Sequence, residues 1–152
     1  MKYLIYTFFL ICVSCSSQKK KTATEQSQTK NSSELTLLLR DSYGGGEEPQ
    51  ILVIKEPKSL AQFFNGVNST RKPGLAIPKI DFEKEMVLVV CSGEIKGNKV
   101  PALHMVENKK SKMVLEVSEE STLANDQATN ITTPFCIYKM PLSNTEISFQ
   151  HN

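Results

Sequence analysis

Apolar and polar residues alternate in the first part of the folded region, which predicts strands there. Three leucines repeat at every second position: Leu35, Leu37 and Leu39. A strand should therefore begin near Glu34. Residues 44–46 are three glycines and predict a turn. The β-branched run at residues 50–55 (QILVIK) then predicts a strand that returns beside the first as a hairpin.

The next segment has the period of a helix. Four apolar residues fall at positions i, i+3, i+4 and i+7, namely Leu60, Phe63, Phe64 and Val67. A capping box with Ser59 as the N-cap and Gln62 three residues later predicts the start, and Asn65-Gly66 predicts the end. We expect the apolar face to pack on a sheet, against three residues of the following strand: Met86, Leu88 and Val90.

The rest of the chain alternates between loops and strands. Two prolines and a glycine in residues 71–80 predict an extended loop. Residues 86–91 (MVLVVC) are apolar on both faces, which is typical of a central strand that the helix covers on one side. Four further runs predict a hairpin and two closing strands: residues 101–107, 113–117, 132–140 and 147–149.

About seven strands and one short helix predict an α+β fold, mostly antiparallel β, with the helix packed on a sheet face. The predicted single domain covers residues 34–150. Its polar connections at residues 92–99 and 119–131 are long for a domain of this size and are candidates for contact with a partner. Five residues form the candidate contact loop: Gly93, Glu94, Lys96, Gly97 and Asn98.

The amino terminus has the layout of a secretory signal. A short positive start precedes an apolar run at residues 3–13, and Ser14-Cys15 follows. That run is too short to span a bilayer as a stable helix, which takes roughly 20 residues. The segment CVSC at residues 12–15 resembles the bacterial lipobox, which implies cleavage ahead of Cys15 and lipidation of that cysteine. An ordinary signal cut elsewhere and an uncleaved anchor are the alternatives.

Residues 16–33 contain no apolar side chain larger than alanine, so they cannot bury enough surface to fold. We therefore expect a lipoprotein signal peptide at residues 1–14 and a lipid-anchored flexible linker at residues 15–33. The basic cluster at residues 19–21 could hold the linker against anionic headgroups or simply keep it soluble. This layout predicts a cell-envelope protein, anchored by lipid and facing the periplasm.

Charge and composition argue against nucleic-acid binding and catalysis. The net charge is +2, and four lysines lie in the predicted linker ahead of the domain, which leaves no basic surface for nucleic acid. His104 and His151 are far apart, and no metal-ligand spacing, nucleophile motif or phosphate loop occurs. We expect no enzyme, no metal site and no cofactor. Four acidic residues are more typical of a solvated face than of a calcium site: Glu116, Glu119, Glu120 and Asp126.

Cys91 and Cys136 are the two cysteines of the predicted domain. Each lies in a predicted strand of an exported protein, so a disulfide could form if those two strands are neighbours. The alternative is a pair of buried thiols that act as small apolar side chains. The sequence leaves both alternatives open.

Residues 77–140 resemble the C-terminal domain of the PrcB-like protease-complex subunit family. The stretch at residues 81–87 (DFEKEMV) is similar to the D-F-S-K-E-M-V signature of that family, and a Ser-Gly-Glu, a hairpin and a Thr-Pro-Phe follow in the same order. Family members typically carry a Gly-Gly-aromatic turn after the Gly-Glu, whereas this chain has GEIKGNK at residues 93–99. The resemblance implies a non-catalytic accessory domain that binds and stabilises a surface protease.

We therefore expect a non-catalytic, lipid-anchored envelope protein that acts as a protein-binding or accessory module. Its expected partners are the membrane, through the lipid, and a protease or another envelope protein. Two alternatives stay open: an exported protease inhibitor that uses its loops, and a structural envelope component. An inhibitor needs its loops clustered at one end as a wedge, whereas an accessory subunit uses a sheet face or edge.

Overall fold

The computed structural model describes three ranges of the chain: residues 35–109, 111–121 and 129–151. The predicted signal peptide at residues 1–14, the lipidation site Cys15 and the predicted linker at residues 15–33 lie outside these ranges, and so does Asp126. Within the described ranges, no helix has the length and apolar character needed to cross a membrane.

A four-stranded antiparallel sheet forms the centre of the folded unit. From one edge to the other its strands are β1 (Thr36–Asp41), β8 (Phe135–Pro141), β3 (Glu85–Ser92) and β2 (Pro49–Ile54). Strand β3 is buried without interruption from Met86 to Cys91, as expected for a central strand. Strands β1 and β2 form the two edges.

A second sheet of three strands packs on one face of the first. Its strands are β5 (Lys99–Lys109) and β6 (Lys112–Ser121), which form the predicted hairpin, and β9 (Glu146–His151), which is parallel to β6. A short bridge joins β4 (Ile95–Lys96) to β7 (Ile131–Thr132). The helices are α1 (Pro57–Val67) and a 3-10 turn (Asn68–Thr70). The described residues thus confirm the predicted α+β, mostly antiparallel fold, with nine strands rather than about seven.

Two apolar cores lie on opposite faces of the central sheet, because successive side chains of a strand point to opposite faces. On one face, Val87, Val89 and Cys91 of β3 pack with residues of α1. On the other face, three residues of β3 pack with the three-stranded sheet: Met86, Leu88 and Val90. The folded unit therefore has three layers, a helix, a four-stranded sheet and a three-stranded sheet.

The predicted partners of the helix are wrong. Helix α1 packs on the face of β3 that carries Val87 and Val89. The expected partners, Met86, Leu88 and Val90, point to the opposite face of the sheet. The buried residues of α1 itself are Leu60, Phe64 and Val67, as the helical period predicts. Because β3 is apolar on both faces, its sequence does not indicate which face a helix covers.

The predicted helix ends are also wrong by a few residues. The N-cap is Glu56, not Ser59, and the hydroxyl of Ser59 instead donates to Glu56 Oε1 at 2.7 Å. Pro57 occupies the first turn, where a missing N–H is tolerated. At the other end the helix passes through Gly66 and finishes at Val67.

Strands β1 and β2 do not form the predicted hairpin. Strand β1 pairs with β8 and β2 pairs with β3, so β1 and β2 lie at opposite edges of the central sheet. Strands β3 and β8 are buried on both faces and therefore occupy the two central positions. A bulge between Leu37 and Leu39 also breaks the predicted alternation of β1.

Candidate functional site

The outer edge of β2 is the part of the described structure best suited to bind a partner. Among the described residues, β2 pairs only with β3, so the peptide groups along its other side carry no neighbouring strand. Strand β2 begins with Pro49, but residues 50–54 contain no charge and no further proline, and the side chain of Val53 is 42% exposed. Native edge strands are normally protected by charges, prolines or a covering element, because a bare edge can pair with another chain.

Helix α1 and the edge of β2 enclose a groove of about 660 Å³. Its apolar lining comes from six residues of the strand and helix: Ile51, Leu52, Val53, Ile54, Phe63 and Val67. Gln50, Ser59 and Gln62 add polar groups. Gly66 also lines the groove, and a Cβ at Gly66 would meet no atom within 4 Å. An apolar groove with a few polar groups is the usual form of a binding site.

The glycine turn at residues 44–46 closes one end of the groove and is held firmly. The N–H groups of Gly44 and Gly45 donate to the Oγ1 and backbone oxygen of Thr133, at 2.9 and 2.8 Å. Arg71 donates to both carboxylate oxygens of Asp41, at 2.7 and 2.9 Å. Burial is the largest single influence on the pKa of Asp41 and raises it, but the hydrogen bonds from Arg71 and from the N–H of Tyr43, together with the charge of Arg71, outweigh burial and hold that pKa below its usual value. Hydrogen bonds therefore hold this end of the groove in place.

The two ends of the groove carry opposite charges. Glu47 and Glu48 are exposed beside the glycine turn, directly before β2. Lys55 and Lys58 are exposed where β2 passes into α1, with Glu56 between them in sequence. The acidic end therefore carries two carboxylates, and the basic end carries two ammonium groups and one carboxylate. The Lys55 ammonium donates to Ser143 O at 2.8 Å, and these charged residues flank the groove without lining it.

The predicted contact loop is only partly accessible. Glu94 and Lys96 are exposed, whereas Gly93, Gly97 and Asn98 are buried. Gly93 and Gly97 have φ angles of 77° and 113°, a region that favours glycine. Three of the five candidates therefore serve the structure of the loop itself, and two side chains are exposed for contact.

Backbone hydrogen bonds join this loop to the second predicted contact segment. Strand β4 pairs with β7, and the N–H of Gly97 donates to Asn130 O at 2.9 Å. The N–H of Glu94 donates to Glu47 O, also at 2.9 Å. The described parts of both segments therefore lie at one end of the domain, next to the acidic end of the groove.

Cys91 and Cys136 are free and buried, so the disulfide that the sequence allows is not formed. They lie on neighbouring strands, but Cys91 is opposite Phe135 and Cys136 is opposite Val90. The two thiols therefore point to opposite faces of the sheet, one into each core. Burial raises the pKa of Cys91 to about 11 and that of Cys136 to about 12. Such thiols carry almost no reactive thiolate at neutral pH.

His104 lies on the exposed face of β5, beside two residues of β6. Its Nε2 is 3.0 Å from Ser118 Oγ and 3.6 Å from Glu120 Oε1. A serine-histidine-acid triad needs the hydroxyl and the carboxylate on different ring nitrogens, whereas both face Nε2 here. Glu120 also accepts a hydrogen bond from Arg40 at 2.8 Å. The group therefore connects β1 with the β5–β6 hairpin and lacks the geometry of a triad.

Two of the three acidic residues on β6 are engaged in surface ion pairs, and the third, Glu116, accepts a hydrogen bond from Gln150 Nε2 at 3.3 Å. Glu119 is 3.7 Å from Lys99, and Glu120 is 2.8 Å from Arg40. Within the part of the chain that the structure describes, no three His, Cys, Asp or Glu side chains converge as a metal site would require.

The stretch at residues 81–87, which carries the family resemblance, forms the turn into the central strand. The N–H groups of Lys84 and Glu85 donate to Asp81 O at 2.9 and 2.7 Å. The Asp81 carboxylate accepts from the N–H of Glu83 at 3.2 Å and from the ammonium of Lys84 at 2.9 Å. Phe82 packs against the helix-side core. This stretch therefore directs the chain into β3 and helps to fix the fold.

Comparison with known proteins assigns no relative to this chain. No family model, no curated protein and no solved structure matches it. The resemblance of residues 77–140 to the PrcB-like family accordingly stays a prediction.

The sequence does not predict the groove. In the expected β1–β2 hairpin, β1 would pair with β2 and cover the edge of β2 that is open in the structure. Two signals are nevertheless present in the chain. The run at residues 50–54 has no charge, which is unusual for an edge strand. Gly66 has no side chain at a helix position where one would fit, which leaves space beside β2.

Proposed function

We propose that this chain is a non-catalytic, lipid-anchored envelope protein that binds another protein through the groove between β2 and α1. The observation that carries the proposal is the uncharged, unpaired edge of β2 beside an apolar groove of about 660 Å³. Such an edge offers backbone hydrogen bonds, and the groove offers apolar contacts, which together suit a polypeptide partner.

The titratable groups of the described residues support a binding role. Burial holds the pKa of the Cys91 thiol at about 11, so it is a poor nucleophile. His104 has the hydroxyl of Ser118 and the carboxylate of Glu120 at the same ring nitrogen, which does not activate a serine. No step of covalent chemistry is therefore assigned to these groups.

The lipobox-like segment at residues 12–15 supports attachment to a membrane of the cell envelope, on its periplasmic side. The resemblance of residues 77–140 to the PrcB-like family supports a protease complex as the partner. In this proposal the anchor and linker keep the domain near the membrane, and the groove holds a segment of the partner.

Replacing Cys15 with Ala should release the protein from the membrane or leave it unprocessed. Acyl chains contribute about 0.8 kcal/mol per buried methylene, so several chains anchor firmly and their loss removes the attachment. Membrane fractionation and intact mass of the wild type and of Cys15→Ala measure this. A matched control is Thr22→Ala in the predicted linker, outside the lipobox-like segment, which should keep both processing and attachment. Lipid anchoring is wrong if Cys15→Ala has the wild-type processed mass and stays with the membrane.

Filling the groove at Gly66 should abolish partner binding without unfolding the domain. A Cβ at this position meets open space, and replacing a helical glycine favours the helix by up to about 1 kcal/mol. Gly66→Trp should therefore be at least as stable as the wild type, while its ring occupies the groove. Partners crosslinked in the native envelope should fall by about tenfold or more, a loss of roughly 1.4 kcal/mol or more in binding.

The matched control for this experiment is Asn65→Trp. Asn65 is exposed, lies one position away on the helix and does not line the groove. Asn65→Trp should capture the same partner at the wild-type level. If both tryptophan variants capture it equally well, the groove is not the binding site.

A protease inhibitor that uses its loops is the second candidate function. The observation in its favour is the β4–β7 bridge, which brings residues 93–99 and 129–131 together at one end. Because Asn98 is buried, only Glu94 and Lys96 are suitable surface probes. If replacing Glu94 and Lys96 with Ala removes partner capture while Gly66→Trp retains it, the loop end is the contact and the inhibitor is favoured.

A further inference from the structure

The groove has the geometry of a site for one added strand. Strand β2 runs for six residues, which corresponds to about 20 Å, and the five that follow Pro49 line the groove. All pairings in the central sheet are antiparallel. A further antiparallel strand at this edge would continue the same pattern, and its alternate side chains would point toward α1.

A second copy of the chain fits this edge poorly. Antiparallel pairing of two β2 strands requires a two-fold axis perpendicular to the sheet, which keeps both α1 helices on the same face. Helix α1 already forms a wall of the groove, so the incoming β2 would bring its own helix into the space beside that wall. A single extended segment has no such bulk.

The charges at the two ends select the polarity of the segment. An antiparallel strand places its amino-terminal side near Lys55 and Lys58 and its carboxyl-terminal side near Glu47 and Glu48. The middle of the groove presents Leu52 and other uncharged groups. Electrostatic complementarity of this kind contributes more to orientation and selectivity than to total affinity.

We propose that the groove binds an extended segment of a partner protein as an antiparallel fifth strand on β2. That segment is acidic at its amino-terminal side, has alternating apolar residues in its middle and is basic at its carboxyl-terminal side. The inference rests on the proposed function, since it names the ligand class of the same groove. It adds the backbone pairing, the direction of the segment and its charge pattern.

Two synthetic peptides of identical composition test the direction and the charge pattern. The first is the acetylated, amidated peptide DDVTVTVKK, and the second is its charge-reversed form KKVTVTVDD with the same end groups. Binding to the full-length protein in detergent micelles is measured by isothermal titration calorimetry. The first peptide should bind about tenfold more tightly, because exposed charge pairs contribute modestly at each end. Raising the salt concentration should reduce the difference between the two peptides.

Hydrogen exchange tests the strand pairing itself. Peptide binding should slow exchange of amides within residues 50–54, because outward-facing N–H groups of β2 gain partners, while amides of α1 should change little. Gly66→Trp should abolish binding and Asn65→Trp should retain it. Val53→Lys provides a second variant, since a charge on the edge opposes strand addition at a position that is 42% exposed.

The outcomes separate this inference from the proposed function. Equal affinity for the two peptides overturns the direction and charge pattern. If neither peptide binds, or if amide exchange in residues 50–54 does not change, strand addition is overturned. In that case, loss of partner capture in Gly66→Trp would still support a protein that binds its partner through the groove. A dimer in sedimentation that Gly66→Trp abolishes, without peptide binding, identifies a second copy as the occupant and overturns the proposal.

Discussion

Phe64→Ala should destabilise the domain by about 3 to 5 kcal/mol, the range for truncating a buried phenylalanine. Phe64 is 0% exposed and lies in the core between α1 and the central sheet. Its ring also makes an edge-to-face contact with Phe63, with the ring centres 5.8 Å apart. Alanine would leave a cavity that the two packed layers cannot close. Because small domains are stable by only about 5 to 15 kcal/mol, the loss removes a large part of the total.

Urea denaturation followed by circular dichroism measures this loss as a shift of the midpoint at constant slope. Tyr43→Ala is the matched control, because the Tyr43 side chain is 51% exposed and also loses an aromatic ring. Its free energy of unfolding should change by less than about 0.5 kcal/mol. A loss below about 1 kcal/mol for Phe64→Ala would show that the helix does not pack on the sheet through this residue.

Gly93→Ala should destabilise the domain by about 2 to 5 kcal/mol, although Gly93 is a candidate contact residue from its sequence position. Its φ is +77°, where a side chain costs about 1 to 2 kcal/mol. An added Cβ would lie 2.8 Å from the backbone nitrogen of Pro49 and 2.9 Å from Glu47 O. Backbone atoms cannot rotate away as a side chain does, so the overlap adds a cost of about 1 to 3 kcal/mol.

The free energy of unfolding of Gly93→Ala is compared with that of Gly66→Ala. At Gly66 the same substitution meets no atom within 4 Å, so it should stabilise the domain by up to about 1 kcal/mol. Opposite signs at the two glycines would establish that Gly93 serves the fold. If Gly93→Ala is as stable as the wild type, the approach between the loop and the start of β2 is looser than these distances indicate.

The sequence alone determines the fold class and most of the elements, although the short strand β4 lies in a segment that the sequence predicts to be a loop. The 3.6-residue period predicts the inner face of α1: Leu60, Phe64 and Val67 are buried, and Phe63 is partly buried. The unbroken apolar run at residues 86–91 predicts the central strand, because only a strand covered on both faces tolerates such a run. These features depend on neighbours along the chain, so their signal is local.

The tertiary structure decides which face meets which layer. Helix α1 packs on Val87 and Val89 rather than on Met86 and Leu88. Because both faces of β3 are apolar, its sequence does not indicate which face the helix covers. The same alternation places Cys91 in a different core from Cys136, although their strands are neighbours. A shift of one residue reverses both assignments, and no local pattern specifies it.

Strand order is likewise a property of the whole sheet, and the candidate site depends on it. Local turn residues favour a β1–β2 hairpin, but β3 and β8 are apolar on both faces and must occupy the centre. Strands β1 and β2 are thereby separated to opposite edges, and the outer side of β2 is left open beside α1. The sequence by itself determines that β2 is uncharged and short. Long-range packing determines which two strands occupy the buried central positions of the sheet. Because β2 is not one of them, its edge is free to bind a partner.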